Sequence, residues 1–163
     1  QGRNRMTIDS RQLRDALGQF ATGVCLVTVM DDDGVAHALT VNSFASVSLD
    51  PPLVLWSLQK DAEIYALYES APNFCIAVLA QDQQGHSSGY AQKGGHRLAA
   101  QDFEPGTNGA PLIHNAVVNF ECSLERALDG GDHTILLGRV TRVCETNAQP
   151  PLVFFGGQYR ELK

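Results

Sequence analysis

Two stretches of the chain bring chemistry-bearing residue types close together. In Thr40-Val41-Asn42-Ser43-Phe44-Ala45-Ser46-Val47-Ser48, the side chains of Thr40, Asn42, Ser43, Ser46 and Ser48 can hydrogen-bond the heteroatoms of a planar ring, or its phosphate, without adding bulk. The same composition suits a plain turn, because Leu49-Asp50-Pro51-Pro52 follows and proline donates nothing to a ladder. Taken alone, these residues leave both readings open. The second stretch is Asp129-Gly130-Gly131-Asp132-His133, where paired glycines let the backbone approach a ligand and an imidazole stands beside them. On its own that string reads equally as a hairpin turn with His133 exposed at its end.

Other spacings mislead or are missing. Gly85-His86-Ser87-Ser88-Gly89 matches G-x-S-x-G, and Asp102 and His133 follow in the order of an α/β-hydrolase triad. That motif needs a buried strand running straight into a helix, whereas polar residues 81–84 precede it, so a mobile Ser/Gly-rich loop is the expectation. G-x-G-x-x-G is absent, and Gly95 stands where a phosphate-binding loop beginning at Gly89 would need lysine. None of the five histidines has the spacing of H-E-x-x-H or adjoins a cysteine pair, so no metal site is expected. His37, His86, His96 and His114 are assigned surface or structural roles, and Trp56, inside an apolar strand, is assigned to the core.

The elements that must position these residues are mostly strands. Asp9 followed by Gln12 has the form of a capping box, and Leu13, Leu17 and Phe20 share a face, which predicts a helix over 10–20. Residues 24–30 and 35–41 read as a hairpin closed by Asp31-Asp32-Asp33-Gly34, and 42–48 as a shaped loop. Residues 53–58 and 73–80 read as strands, separated by a helix that Asp61 caps and that carries Ile64, Leu67 and Tyr68 on one face. The segment 81–116 reads as a surface excursion with a short helix near 96–101. Strands over 117–126 and 134–145, joined by a loop over 127–133, and a last strand over 152–155 complete the pattern. The fold class is therefore mainly β: an antiparallel barrel with appended helices.

Composition narrows the partners. The 163 residues suit a single domain, expected over 7–163, with 1–6 an N-terminal extension or tag remnant. A net charge of -6 with no Lys/Arg cluster argues against nucleic acid. No apolar run approaches the ~20 residues of a membrane helix, so no membrane partner is expected. Cys25, Cys75, Cys122 and Cys144 lie mostly in apolar runs, as reduced thiols of a cytoplasmic protein do. Charged residues at 18% fall below the ~25% of an average domain, which predicts that part of the surface lies against another subunit.

The segment from Thr40 to Leu53 closely resembles the flavin-binding stretch of the short-chain flavin reductases, the reductase components of two-component flavin monooxygenases. Gly131-Asp132-His133 with the following strand resembles that family's second signature, and Pro151-Leu152-Val153-Phe154-Phe155-Gly156-Gly157-Gln158-Tyr159-Arg160 its C-terminal one. Phe20-Ala21-Thr22-Gly23-Val24 fits as well, so the matches keep family order over roughly 10–162. The resemblance implies an FMN-binding type of split β-barrel, homodimeric, with flavin at the subunit interface. It implies that Thr40, Val41, Asn42 and Ser43 line the isoalloxazine ring, and that Ser46, Ser48, Ser57, Leu58, Gln59 and Lys60 serve the ribityl and phosphate. Asp61 and Ala62 stand where small polar residues often help hold the phosphate in that family, so the choice between FAD and FMN stays open.

What the resemblance implies in function is an NAD(P)H-dependent reductase, NADH favoured over NADPH, that supplies reduced flavin to a separate monooxygenase. Hydride transfer between two cofactor rings asks the protein mainly for geometry: rings stacked with reacting atoms ~3–3.5 Å apart. Gly131, Asp132 and His133 are then cofactor-binding, with His133 the catalytic candidate placing the nicotinamide, and Tyr159 packs on the ring or on the partner subunit. A flavin-binding electron carrier without turnover is the alternative reading, and a serine hydrolase built on Ser87 a distant third.

Overall fold

Short-range chemistry starts and stops the first elements. The structure, a computed structural model, describes residues 7–145 and 148–163; the expected extension over 1–6 lies outside them. Asp9 caps α1 (Ser10–Leu17), its carboxylate accepting the Arg11 N–H at 3.0 Å, and the helix ends before Gly18 rather than at residue 20. None of the residues of α1 is buried. After β1 (Thr22–Gly23), β2 (Cys25–Met30) and β3 (Ala36–Val41) form the expected hairpin, where the Asp31 carboxylate accepts the N–H groups of Asp33 and Val35.

Residues 42–48 are not simply a loop. Ala45–Leu49 forms β4, paired with β5 (Pro52–Gln59), with a register shift between Ser46 and Ser48 that leaves Val47 unpaired. Small residues accept an edge position, and the bulge breaks the alternation that would have marked a strand. Helix α2 (Tyr65–Ser70) has no side-chain cap, so Asp61 does not start it. Burial fixes this helix instead: Tyr68 is 2% exposed and donates its hydroxyl to the Val27 carbonyl at 2.7 Å.

After β6 (Asn73–Val78), the segment read as a surface excursion is structured. It contains α3 (Gln84–Tyr90), a strap over 92–98, β7 (Phe103–Pro105) and β8 (Pro111–Ile113), and it buries Tyr90, Leu98, Ile113 and Ala116. Tyr90, Leu98, Ile113 and Ala116 pack with Leu26 of β2 and Ala77 of β6, so sparse hydrophobicity was enough to dock it. β9 (Val118–Gly130) and β10 (His133–Glu145) form a long hairpin. The loop expected over 127–133 contracts to Gly131-Asp132, with Gly131 at φ +77° where a side chain would be strained. A final small hairpin, β11 (Val153–Phe155) and β12 (Gln158–Arg160), pairs with β1.

The main sheet runs β3-β2-β6-β9-β10-β5-β4. Val27 and Val29 of β2 share one core with Trp56 and Leu58 of β5, which lie far apart in that order, so the sheet curls round on itself. Its two ends, β3 and the β5–β4 pair, approach without forming a ladder. This is a barrel with a split. Val54, Trp56 and Leu58 point inward, leaving Leu53, Leu55, Ser57 and Gln59 on the outer face.

Glu121 anchors the β9 end of the hairpin on the face covered by residues 107–108. Fully buried, its carboxylate accepts from the Asn108 N–H, the Thr107 hydroxyl and Arg142 Nη1, each at 3.1 Å. Burial alone would raise its pKa, but these donors together outweigh it and lower it. A carboxyl held below its ordinary value contributes stability that is present at neutral pH. That contribution is lost as pH falls from about 4.3 through the lowered native value. Glu121→Gln should therefore cost about 2 kcal/mol at pH 7 in urea unfolding, and the gap from the unsubstituted protein should narrow below about pH 4.

Candidate functional site

Every strand edge must place its N–H and C=O groups somewhere. At the start of β3 the strap supplies partners: Ala38 N–H donates to the His96 carbonyl at 2.7 Å, and Leu98 N–H donates to the Ala36 carbonyl at 2.9 Å. His96 Nδ1 adds a contact to the Ala38 carbonyl at 3.2 Å. The main-chain groups of residues 36 and 38 thus point away from β2, and by the two-residue period those of Thr40 do too. The strap has left by then. Thr40 presents one donor and one acceptor to the split.

The opposite wall is β5, paired with β10 along its length but with β4 only as far as Leu55. At Ser57 a side chain takes over: Ser57 N–H donates to Ser43 Oγ at 2.9 Å, and that hydroxyl donates to the Ser57 carbonyl at 3.3 Å. Ser43 therefore pins the two walls together. Between them lies a cavity of about 230 Å³, bounded by residues 39–43 on one side and by Ser57, Gln59, Ala62 and His133 on the other. A second cavity of about 160 Å³ shares Thr40, Val41 and Asn42 and is walled by Val24, Ser87, Phe154 and Tyr159. There the Thr40 hydroxyl donates to the Ser87 carbonyl at 2.7 Å, and Ser87 Oγ lies 2.6 Å from the Tyr159 hydroxyl.

His133 opens β10 opposite Gln59, on the outer face. Its Nδ1 lies 2.7 Å from Asp132 Oδ1, and this contact with His133 holds the Asp132 carboxyl below its usual range. An ionised carboxylate only accepts, so Nδ1 carries the hydrogen. Lys60 N–H donates to the Asp132 carbonyl at 2.9 Å and fixes the turn against the end of β5. The Lys60 ammonium is ion-paired with Asp129.

The predicted site residues divide accordingly. Thr40, Val41, Asn42, Ser43, Ser57, Gln59 and His133 surround the larger cavity, and Tyr159 walls the smaller. Gly131 and Asp132 form the turn beside His133, and Lys60 follows Gln59 with its ammonium on Asp129. Ser46 and Ser48 lie on β4 and line neither cavity, and the Leu58 side chain is buried in the core. Sequence reasoning did not place Leu39, Ala62, Val24, Ser87 and Phe154 in the walls of these cavities. Ser87 stood in a motif given to a mobile loop; it is in fact helical, with Tyr159 as its hydroxyl partner. Ser87 Oγ pairs with Tyr159, Asp102 takes the Tyr90 hydroxyl at 2.7 Å and His133 Nδ1 pairs with Asp132, so the hydrolase order assembles no triad.

Arrangement and donor set fit a flat heteroaromatic ring. Thr40 matches the alternating donor and acceptor edge of a ring lactam, Ser57, Gln59 and Asn42 add polar contacts, and Leu39 and Val41 supply apolar contact. Among the described residues no cluster of three or more His, Cys, Asp or Glu is placed to hold a metal, and no helix is long and apolar enough to cross a membrane.

Fold and site thus define a small split β-barrel that offers an unpaired strand edge to a planar ligand. The chain belongs to the flavin reductase-like domain family, whose profile matches residues 17–163. It is 39% identical over 96% of its length to the flavin-dependent monooxygenase reductase subunit HsaB of Rhodococcus jostii, covering 80% of that protein. It is 42% identical over 93% of its length to the FMN reductase (NADH) SmoA of Agrobacterium fabrum, covering 85% of it. Among solved structures, the Streptomyces globisporus NADH:FAD oxidoreductase SgcE6, in complex with NAD and FAD fragments, superposes with a TM-score of 0.85. The two are 37% identical, over 95% of this chain and 93% of that one. The mainly β fold expected from the sequence is the fold of these structures.

Ser43→Ala removes a side chain that pins the split. The Ser57 amide should then lose its protection in hydrogen-exchange NMR, with a stability loss of about 1 kcal/mol. Unchanged exchange at Ser57 would mean that the walls are held by something else.

Proposed function

We propose that the chain, as one domain over 7–163, is an NADH-dependent flavin reductase that supplies reduced FAD or FMN to a separate monooxygenase. The observation that carries this reading is the unpaired Thr40 edge inside the barrel's split, in a family whose relatives HsaB and SmoA are a monooxygenase reductase subunit and an NADH-dependent FMN reductase. Thr40 would pair the polar edge of the ring, while Ser57 and Gln59 would meet polar groups along its side chain. Lys60 is the cation available to the phosphate. A bound flavin would supply the acceptor for a hydride, two electrons and one proton together, given up by a nicotinamide that would leave as NAD⁺. His133, which lines the cavity and has Nδ1 tied to Asp132, would position the nicotinamide through Nε2. Gly131 leaves room beside it.

The chain would work as a homodimer. Leu53 and Leu55 of β5, Ile135 and Leu137 of β10 and Leu128 of β9 are half-buried on the outer face that also carries Ser57, Gln59 and His133. Leu17 and Phe20, at and beyond the end of α1, are 65% and 78% exposed. A second copy would cover this apolar face and close the cavity's open side. The four free cysteines suit the cytoplasm, and the net charge of -6 argues against a nucleic-acid partner.

Titration with FMN and FAD, then anaerobic NADH, should bleach the flavin absorbance and continue for many turnovers when flavin is in excess. A carrier would bleach once, in proportion to protein. His133→Ala should raise the KM for NADH about tenfold and change the flavin Kd less than about twofold; equal losses would remove His133 from the nicotinamide side. Light scattering should report twice the 17.6 kDa chain mass, and Leu55→Asp should shift it towards the monomer.

A further inference from the structure

We propose that Asp129 sets how firmly the site holds a flavin phosphate, by competing with that phosphate for the Lys60 ammonium. The inference rests on the reading of the split as a flavin site. Lys60 follows Gln59, which lines the larger cavity, and it is the only lysine or arginine within the stretches 39–43, 57–62 and 131–133 that contribute the lining residues. Its backbone is fixed, because its N–H donates to the Asp132 carbonyl at 2.9 Å. Its side chain is engaged too: the ammonium reaches across to Asp129, which stands on β9 opposite Thr134.

The surroundings are acidic. Asp61 follows Lys60 in the chain, and Asp132 forms the turn that receives the Lys60 N–H. A phosphate dianion arriving beside Lys60 therefore meets a cation that is already paired and carboxylates that repel it. It must displace Asp129 or share the ammonium with it. Asp129 is 81% exposed and Lys60 42%, so the exchange buries no charge and proceeds quickly in water. The consequence is a flavin whose ring is recognised but whose phosphate is loosely held. That suits a ligand that must leave after it is reduced.

Exposed ion pairs of this kind are worth up to about a fivefold change in an equilibrium constant. The test measures Kd for FMN and for riboflavin, which lacks the phosphate, by quenching of flavin fluorescence on the full chain. Asp129→Asn should strengthen the preference for FMN over riboflavin about three- to fivefold, an effect that fades in about 0.5 M salt. In a Lys60→Met background the same substitution should change the preference little, because the freed ammonium is gone. Glu125→Gln removes a charge from the same strand but from a carboxylate paired with Arg139, and should leave the preference unchanged. An unaltered preference in Asp129→Asn, with both flavins still bound, would overturn the role of Asp129 alone. So would a gain that survives in Lys60→Met. If the unsubstituted protein quenched neither flavin, the flavin reading would fall, and this inference with it.

Discussion

A β-strand that ends a sheet cannot leave its backbone groups without partners, and β3 shows how this chain meets that constraint. The strap from 92–98 takes the outward groups of residues 36 and 38, and then departs. On the far wall, Ser43 occupies the groups of Ser57 that β4 no longer reaches. The Thr40 row remains available at the split, where β3 and the β5–β4 pair do not form a ladder. Two separate pieces of chain thus bracket the opening, and the cavity follows from where each of them stops.

The long hairpin supplies the other half of the arrangement. β10 must lie close against the core for its first residue, His133, to meet the end of β5. Gly138 permits this, because a Cβ there would sit 2.7 Å from Phe74 Cζ. Register shifts beyond Leu137 and Val140 bend the pair, so that one hairpin packs on β6 at its base and on β5 near its tip. With Glu121 holding the base and the Lys60 backbone holding the tip, the turn carrying His133 is fixed at both ends.

Much of this was legible where local chemistry decides structure. Asp31 and Gly34 announced the first hairpin, and the apolar run over 53–58 announced a strand with Trp56 in the core. The cluster around Thr40 and the glycine-flanked His133 stood out as chemistry, though residues alone could not choose between a site and a turn. That choice came from resemblance, which also contributed Ser57 and Gln59. What stayed hidden depends on tertiary contact. β4 lacks a strand signal because its bulge breaks the period. Helix α3 carries Gly85 and Gly89, poor helix formers, and is stabilised by burial of Tyr90 and by the Ser87–Tyr159 contact, which no local window contains. Asp61 looked like a cap, but the packing of Ile64 and Tyr68 set where that helix begins.

An open strand edge is also a template on which neighbouring molecules can stack, the first step towards fibrous aggregates. Here the free row lies inside a cleft whose far wall, Ser57, Gln59 and Ala62, stands opposite it. A thin flat molecule can slide in. An invading polypeptide would need side-chain room on both of its faces, which a cavity of about 230 Å³ walled by Ser57, Gln59 and Ala62 restricts. Recessing the edge therefore keeps it available to a small guest while shielding it from other copies of the chain.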